Sequence, residues 1–461
     1  MNFSEAFSYL LSLGHETLTI KLGLANTERL LNALGNPQKA FPAIQIAGTN
    51  GKGSVAVTLA SICRAAGIRA GLFTSPHLVS ITERITIEDE PISESNFARL
   101  TTVVKETVHE LMKQGQLETP PTFFEHVTAI ALLAFRAANV ELVILETGLG
   151  GRLDSTTTAG AEIVAITQIA MDHEEYLGHS LADIAGEKAA IIRPGVTAIV
   201  APQAEEVLDV ITSQCGVSGV QPRLIDSESN GRQTLAARYR ELFCISSRAV
   251  GRSRDGRFCV TFETDQNRYQ NLSLGLRGRH QIANVSTAIA LAEALRQHGF
   301  EISRETIIRG VETARHPGRL ELLEGPPQIL FDGAHNPASA RALCDYLDEF
   351  VEQPITMIFG AMRDKALDQM AEELFPRANE LILTKLDNPR AASIEMLMAV
   401  VRESCHRGRI HKAYSAGEGL RIAKEVTKAD SMICITGSLY LVGAVQQVLK
   451  QESRGVARQR A

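Results

Sequence analysis

The segment AGTNGKGS (47–54) constrains the fold more than any other part of the sequence. It joins AIQIAG (43–48), a short apolar run typical of a buried strand, to GKGSVAVTLASICRAAG (51–67), which has helical spacing. IRAGLFTS (68–75) follows as a second strand-like run. Together these segments predict a βαβ unit with a glycine-rich turn between its first strand and its helix.

A glycine-rich turn that leads into a helix favours phosphate binding. Gly48, Gly51 and Gly53 allow backbone N–H groups to close around phosphate oxygens, and the helix dipole favours an anion there. Lys52 supplies a cation, and the Ser54 hydroxyl can reach phosphate or metal. The common pattern has Ser or Thr directly after the lysine, whereas glycine intervenes here, so a helix-capping turn without a ligand is the alternative. Because all the other features coincide, we predict nucleotide binding at Asn50, Gly51, Lys52, Gly53 and Ser54.

Composition excludes several classes of protein. The 461 residues favour two domains, and a net charge of -6 argues against a general nucleic-acid binder. The seven cysteines are dispersed without CxxC pairs, which favours reduced thiols over disulfides or a zinc site. There is no signal-peptide pattern and no apolar run long enough to span a bilayer, so we expect a cytoplasmic protein without a membrane partner.

The first half of the chain alternates strand-like and helix-like segments. Helix FEHVTAIALLAFRAAN (124–139) precedes strands ELVILET (141–147) and EIVAITQIA (162–170), which predicts a largely parallel sheet covered on both faces. Residues 203–275 are more polar and suggest short antiparallel hairpins, before the helical pattern returns at QIANVSTAIALAEALRQHG (281–299).

A second alternating series begins near residue 318 and predicts a smaller α/β domain. Its segments are strand QILFD, helix PASARALCDYLDEFV, strand ITMIFG, a helix, strand ELILTK, two more helices and strand MICITG. ARHPGRLE (314–321) reads as the linker because Pro and Gly interrupt helix there. We therefore predict a phosphate-loop domain over 1–316 and a Rossmann-like domain over 317–461, with SRGVARQRA at the frayed C-terminus.

Further motifs accompany the phosphate loop in a fixed order. They are FTSPHLVSITERI (73–85), FFEH (123–126), LETGLGGRLDST (145–156), ITQIAMDHEEYLG (166–178), IAGEKAAIIRPG (184–195), GRHQIANVSTA (278–288), HPGRLE (316–321) and DGAHNP (332–337). In this order they closely resemble folylpolyglutamate synthase and dihydrofolate synthase, within the Mur ligase superfamily. The resemblance covers nearly the whole chain and is weakest at about 203–270 and beyond 390.

The resemblance implies an ATP-dependent ligase that adds L-glutamate to dihydropteroate, to tetrahydrofolate (poly)glutamates, or to both. A carboxylate needs activation before it forms an amide, and the family is expected to transfer the ATP γ-phosphate to it, making an acyl phosphate. The glutamate amino group then expels phosphate. On this reading the first domain holds ATP and the folate substrate, the second is a glutamate-ligase domain, and their closure excludes water.

Three residues that follow predicted strands offer metal ligands. Ser75 has a hydroxyl, Glu146 has a carboxylate where open α/β sheets build their sites, and His173 has a less typical nitrogen ligand. Taken singly, the serine also fits a turn and the histidine an ordinary loop position. The resemblance implies that all three hold Mg²⁺.

Catalytic roles rest on the resemblance more than on local pattern. Lys188 by itself reads as a snorkelling lysine, whereas the resemblance implies a carbamylated lysine, which burial would favour by lowering its pKa. The resemblance also places His335 near the reacting groups and implies a catalytic role for Lys52. The other implied nucleotide contacts are Asn284 to adenine, Arg319 to phosphate and Asp332 to ribose. The implied folate or pteroate contacts are Phe124, Glu125, Arg152, Leu153, Asp154 and Ser155.

Two alternatives stay open at this point. A Mur-type peptidoglycan ligase would share the phosphate loop but use UDP-linked substrates, and the SPHL and ETGLGGRLDST blocks argue against it. A non-catalytic nucleotide switch would need only the phosphate loop, and retention of the lysine, metal-ligand and carbamate positions argues against that. FFEHVT departs from the family's usual aromatic–Glu–aromatic–Gly form, which bears on dihydropteroate use. The resemblance also implies a monomer.

Overall fold

The computed structural model describes residues 1–14, 23–226, 242–404 and 406–460, which form two α/β units. In the larger unit the strands are β1 Ala43–Ala47, β2 Ala70–Phe73, β3 Ile85–Ile87, β4 Glu90–Pro91, β5 Leu142–Glu146, β6 Ile163–Ile166, β7 Thr197–Val200, β8 Arg223–Ile225, β9 Phe243–Arg252, β10 Arg257–Thr264 and β11 Arg268–Arg277. Its described helices are α1 Phe3–Ser12, α2 Ala25–Ala33, α3 Lys52–Ala65, α4 Glu94–Lys113, α5 Phe123–Ala137, α6 Glu174–Leu177, α7 Leu181–Ala189, α8 Glu205–Ser218, α9 Gln281–Gln297 and α10 Arg304–Thr313.

These strands form one sheet in the order β11-β10-β9-β8-β7-β6-β1-β5-β2-β3-β4. The strands from β9 to β2 in that order pair in parallel, and antiparallel strands flank them at both edges. Along β1, Ala43 and Ala47 belong to the hydrophobic core on one face, while Ile44 and Ile46 belong to the core on the other. The prediction of a largely parallel sheet with both faces covered is therefore confirmed.

The polar segment 203–275 contains the predicted antiparallel strands, β9 to β11, but it also contains a helix. Helix α8 buries Val207, Leu208, Ile211 and Cys215, which recur at helical spacing. The prediction of hairpins throughout the segment was wrong, because the segment is polar on average and the apolar stripe of this helix is short.

The smaller unit has strands β12 Glu321–Leu323, β13 Gln328–Phe331, β14 Ile355–Phe359, β15 Glu380–Thr384, β16 Arg409–Ala413 and β17 Met432–Thr436, and helices α11 Pro337–Phe350, α12 Leu367–Leu374, α13 Ile394–Glu403, α14 Ala416–Val426 and α15 Leu439–Arg460. Its sheet has the order β12-β13-β17-β14-β15-β16, with β12 antiparallel to its neighbour. The sequence missed β16 because this edge strand, RIHKA, is largely polar and exposed. The prediction of a frayed end was also wrong, since α15 continues to Arg460.

The α/β fold class is as predicted, while the domain boundary at 316/317 stays a prediction. Among the described residues no helix is long and apolar enough to cross a membrane.

Strand order determines where functional side chains meet. Strand β1 lies between β6 and β5, and β2 lies on the far side of β5. The carboxyl ends of these four neighbouring strands lead into the phosphate loop, Glu146, the loop that carries His173, and Ser75. Open α/β sheets bind ligands at such an edge.

Candidate active site

A cavity of about 1140 Å³ opens at this sheet edge and is closed on its far side by the smaller unit. The predicted site residues that line it are Asn50, Gly51, Lys52, Gly53, Ser54, Ser75, Phe124, Glu125, Glu146, Leu153, Asp154, Ser155, His173, Lys188, Asn284, Arg319, Asp332 and His335. Arg152 is not among the lining residues: its guanidinium pairs with Glu187, with Nη2 2.7 Å from Oε1, and is more than half exposed. The structure thus brings together every predicted site residue except that arginine.

The glycines of the phosphate loop are required by close packing. Gly51 has φ 94° and precedes α3, and a Cβ there would lie 2.3 Å from Asn284 Oδ1. A Cβ at Gly48 would lie 1.9 Å from Thr167 Oγ1. The loop is therefore held between the end of β6 and the start of α9, with the N-terminus of α3 facing the cavity.

Two lysines, one partly buried and one buried, converge on one carbonyl of this loop. Lys52 Nζ donates to Gly48 O at 3.0 Å and to Thr49 O at 3.1 Å, and Lys188 Nζ donates to Gly48 O at 2.9 Å. Burial lowers the pKa of both lysines, and for Lys188, where the neighbouring Lys52 cation adds to the effect, the pKa falls to about 7. The cavity thus has two lysine amines beside the phosphate loop, and the pKa of one of them, Lys188, lies near neutrality.

Glu146 is the buried carboxylate of this wall. Ser75 N donates to its Oε2 at 3.1 Å, and burial raises its pKa while Lys52 opposes that shift. His173, which has φ 53°, lines the same cavity, and burial lowers its pKa to about 3. A neutral imidazole, a hydroxyl and a carboxylate therefore face one space.

The loop after β5, residues 147–157, forms the wall that we name the substrate-side loop. Asp154 Oδ2 accepts from Gly148 N and Leu149 N at 3.0 Å each, and Oδ1 accepts from Thr156 N at 2.9 Å and Thr156 Oγ1 at 2.5 Å. From inside the sheet, Gln45 Nε2 donates to Thr156 Oγ1 at 3.0 Å. The carboxylate predicted to contact substrate thus holds its own loop in shape.

Two neighbouring side chains of α5, one aromatic and one acidic, have different partners. The Phe124 ring packs so closely on Gly148 that a Cβ there would lie 2.5 Å from Cζ. Glu125 accepts from Thr122 N at 2.7 Å and from Thr27 Oγ1 at 2.9 Å, which caps the helix. Phe124 therefore offers an apolar ring at the wall, while Glu125 is committed to local structure.

The loop after β6, residues 167–174, makes side-chain contacts with the second unit. We name it the bridging loop. Its Asp172 accepts from Lys365 Nζ at 2.6 Å and from Asn336 Nδ2 at 3.3 Å, with His335 Nε2 3.8 Å away. Burial alone would raise the pKa of Asp172, but the neighbouring His173, Lys365 and His335 outweigh it and hold the pKa well below its usual range.

Sequence reasoning assigned no role to Asp172 or Lys365. The available signal was position, because the aspartate follows the end of β6 and the lysine follows the end of β14. Asn336 Nδ2 also donates to Asn50 Oδ1 at 3.0 Å, so the second unit touches the phosphate loop directly.

The side of the cavity that is predicted to hold the nucleotide is formed by α9, the linker and β13. Asn284 Nδ2 donates to Gln281 Oε1 at 2.9 Å, and Arg319 Nη1 donates to Gly333 O at 3.1 Å. Asp332 accepts from Leu320 N and Ala334 N at 2.9 Å each, and burial raises its pKa. These side chains are fixed by their surroundings before any ligand binds.

A phosphate loop that faces a second α/β unit across a cleft is the arrangement expected of a two-domain nucleotide-dependent ligase. Residues 46–292 match the Mur ligase middle domain, and residues 318–439 match the Mur ligase, glutamate ligase domain. The chain is 31% identical over 451 residues to the folylpolyglutamate synthase of Lacticaseibacillus casei, a match that covers 97% of this chain and 99% of the relative. It is 32% identical over 440 residues to the dihydrofolate synthase/folylpolyglutamate synthase of Bacillus subtilis, covering 94% and 96% respectively.

Solved structures agree. Mycobacterium tuberculosis folylpolyglutamate synthase complexed with ADP superposes with a TM-score of 0.86 at 29% identity, covering 97% of this chain and 98% of the other. E. coli FolC in complex with DHPP and ADP gives a TM-score of 0.84 at 28% identity, covering 98% and 99%. The chain also matches a probable bifunctional folylpolyglutamate synthase/dihydropteroate synthase of Haloferax volcanii, at 32% identity over 443 residues, but spans only 50% of that relative's length.

The chain therefore belongs to the folylpolyglutamate synthase/dihydrofolate synthase family of the Mur ligases. As a member of it, the protein is an ATP-dependent ligase that joins an acid to an amino acid, which confirms the expectation from its motifs.

Proposed function

We propose that this ligase adds L-glutamate to a pteroate- or folate-type carboxylate through an acyl phosphate made from ATP. The observation that carries the proposal is the convergence in one cavity of the phosphate loop, the substrate-side loop and polar groups of the second unit. The names of the relatives support folate chemistry, and a structural neighbour holds both DHPP and ADP. The alternative reactions, on a UDP-linked acid or none at all, have no comparable support.

The chain's own residues account for each requirement of the reaction. Lys52 neutralises charge on the phosphates, and the N-terminus of α3 adds a fixed dipole. The substrate-side loop and Phe124 orient the acid so that its carboxylate faces the γ-phosphate. The Asp172–Lys365 contact holds the second unit over the site and excludes water that would hydrolyse the acyl phosphate.

Mg²⁺ fits the donor set of this wall. Glu146 is a buried carboxylate whose pKa burial raises, so a cation beside it would relieve its desolvation. Among the described residues no cluster of three or more His, Cys, Asp or Glu side chains forms a ready-made cage. Mg²⁺ usually takes few protein ligands and completes its shell with phosphate oxygens and water. Ser75, Glu146 and His173 would hold it, and it would supply charge neutralisation at the transferred phosphoryl group.

We also propose that Lys188 is carbamylated. Its pKa near 7 leaves much of the amine uncharged at neutral pH, so Nζ can attack CO₂ and lose a proton to give the carbamate anion. Incubation with ¹³C-bicarbonate should give a carbamate carbon signal by NMR that is absent from Lys188→Gln. A signal of equal intensity in that variant would assign the modification elsewhere.

The cysteines and the net charge bear on the cellular setting. The described cysteines are all free, and most are buried, which suits a reducing cytoplasm. We propose a monomer that has no nucleic-acid partner, in line with the acidic net charge of -6.

The test of the proposal is phosphate release from ATP in the presence of Mg²⁺ and L-glutamate. Release with dihydropteroate would show the synthase step, and release with tetrahydrofolate would show the chain-extending step. A UDP-linked peptidoglycan precursor serves as the matched acceptor control. Release that depends on the UDP-linked acid, or on no acceptor at all, would contradict the folate assignment.

A further inference from the structure

His316, in the linker between the two units, reaches the phosphate loop. Its Nδ1 lies 3.2 Å from Ser54 Oγ, although the two residues are 262 positions apart in the sequence. The imidazole also lines the cavity, next to Arg319. None of the roles assigned above includes this histidine.

The hydrogen-bond partners of Ser54 favour one arrangement of the protons around it. Gln281 Oε1 accepts from Asn284 Nδ2 at 2.9 Å, so its Nε2 is the end that faces Ser54 and donates to Oγ at 3.2 Å. The serine hydroxyl can therefore accept from the glutamine and give its own hydrogen to His316 Nδ1. A neutral imidazole that accepts at Nδ1 carries its hydrogen on Nε2.

That Nε2–H group lies over the turn of the phosphate loop. A Cβ built on Gly53 would be 2.8 Å from His316 Cε1 and 3.1 Å from Nε2, while Glu146 Oε2 lies 3.5 Å from the same point. Any side chain at position 53 would therefore collide with the imidazole. The close approach gives a physical reason for glycine at the position where the common phosphate-loop pattern has Ser or Thr.

Burial and the nearby Arg319 cation lower the pKa of His316 to about 3, so the ring is uncharged at neutral pH and carries a single N–H group. An uncharged imidazole with a fixed acceptor on one nitrogen leaves a single directed donor on the other.

We propose that His316 is a nucleotide-binding residue: Nδ1 holds the Ser54 hydroxyl, and Nε2–H donates to a phosphate oxygen of the bound nucleotide. The inference rests on the ATP-dependent function and adds a contact from the linker to it. Because the ring of this linker residue would contact both Ser54 and the bound phosphate, we expect the linker to respond to phosphate binding in the loop.

Three substitutions of His316 distinguish its two hydrogen bonds. Phenylalanine keeps the ring but removes both nitrogens. Asparagine places an acceptor near the position of Nδ1 and has no donor at the position of Nε2. Glutamine extends an amide N–H towards the position of Nε2 and loses the acceptor for Ser54. His298→Phe, at the far end of α9, is the matched control.

The measurement is the ADP dissociation constant by calorimetry, with the ATP KM as a kinetic check. His316→Phe should weaken ADP binding by about tenfold or more, as expected for a lost hydrogen bond to a charged group. His316→Asn should stay weak, His316→Gln should recover most of the affinity, and His298→Phe should bind like wild type. The KM for the acceptor acid should not change in any variant.

Three results would overturn the inference or its basis. Unchanged ADP affinity in His316→Phe would remove the nucleotide role, and full recovery in His316→Asn but not in His316→Gln would remove the Nε2 donor. Equal melting temperatures without ADP would show that the variants fold. Wild-type protein that binds no ADP would instead overturn the proposed ATP-dependent function, so the two failures are distinguishable.

Discussion

The substrate-side loop and the bridging loop leave neighbouring parts of the same sheet edge, yet their aspartates make opposite kinds of contact. Asp154 directs both oxygens to backbone and hydroxyl groups of its own loop. Asp172 accepts once from its own loop, from His173 N at 2.9 Å. Both of its oxygens also reach the second unit, through Lys365 and Asn336. The hydrogen bonds of the Asp154 carboxylate are all made within the first unit, whereas those of the Asp172 carboxylate are complete only when the second unit is docked.

This difference indicates that the two loops have different roles in the site. A loop that satisfies its own carboxylate is preorganised, and it can bind an acid before the cleft closes. A loop whose carboxylate needs an ammonium from the other unit reports closure and stabilises it. Variants of the first loop should therefore change acceptor binding, and variants of the second should change turnover.

The largest effect should come from Lys52, whose ammonium lies in the field of both Glu146 and Asp172. Lys52→Ala removes the cation that neutralises phosphate charge, and turnover should fall by at least about 100-fold in steady-state assays. The melting temperature should stay close to that of wild type. Turnover within a few-fold of wild type would remove the phosphate-loop assignment.

Asp172→Asn tests the bridging loop. The amide loses the ion pair with Lys365, so the closed cleft is less populated and kcat should fall by about tenfold to 100-fold. The acceptor KM should change little, because the substrate-side loop is intact. Asp348→Asn, which affects only an exposed pair with Arg377, serves as the control. A variant with normal kcat and a raised acceptor KM would reverse the roles that we assign to the two loops.

Asp154→Asn tests the substrate-side loop. The amide nitrogen would face N–H and O–H donors, so about two of the four hydrogen bonds are lost and the loop shifts. We expect the KM for the acceptor to rise by about tenfold, with the ATP KM within about twofold of wild type. If ATP and acceptor KM rise together, the loop is a general structural support and not an acceptor wall.

The smallest effect on turnover should come from His126, which is buried on α5 with Nε2 3.1 Å from Tyr9 Oη. Burial lowers its pKa to about 4, so the folded state keeps it neutral while the unfolded state takes up a proton below about pH 6.5. Stability should therefore fall as pH decreases from 6.5 to 4, by up to about 3 kcal/mol from this group. The dependence should be shallower in His126→Phe, measured by denaturant unfolding, and parallel curves would refute it.

Local pattern was enough to predict the fold class and most of the first wall of the site. The phosphate loop, Glu146 and Ser75 each follow an apolar strand, and parallel strands bring such ends to one edge. The motifs added Lys188 and Asp332, whose isolated contexts are ordinary.

Contacts between segments that are far apart in the sequence could not be predicted from local sequence pattern. Asp172 meets Lys365 across 193 positions, and Ser54 meets His316 across 262, so neither pair has a periodic signal. Arg152 shows the converse: its motif predicts a substrate contact, while an exposed pair with Glu187 holds its side chain away from the cavity.

The central claim is that this cleft forms an amide through an acyl phosphate. An acceptor acid whose carboxylate is labelled with ¹⁸O tests it most directly, by mass spectrometry of the phosphate released with ATP, Mg²⁺ and L-glutamate. Our account predicts that each phosphate carries one labelled oxygen, because the carboxylate oxygen becomes the bridging atom and leaves with phosphorus. Unlabelled phosphate accompanying the amide product would contradict it.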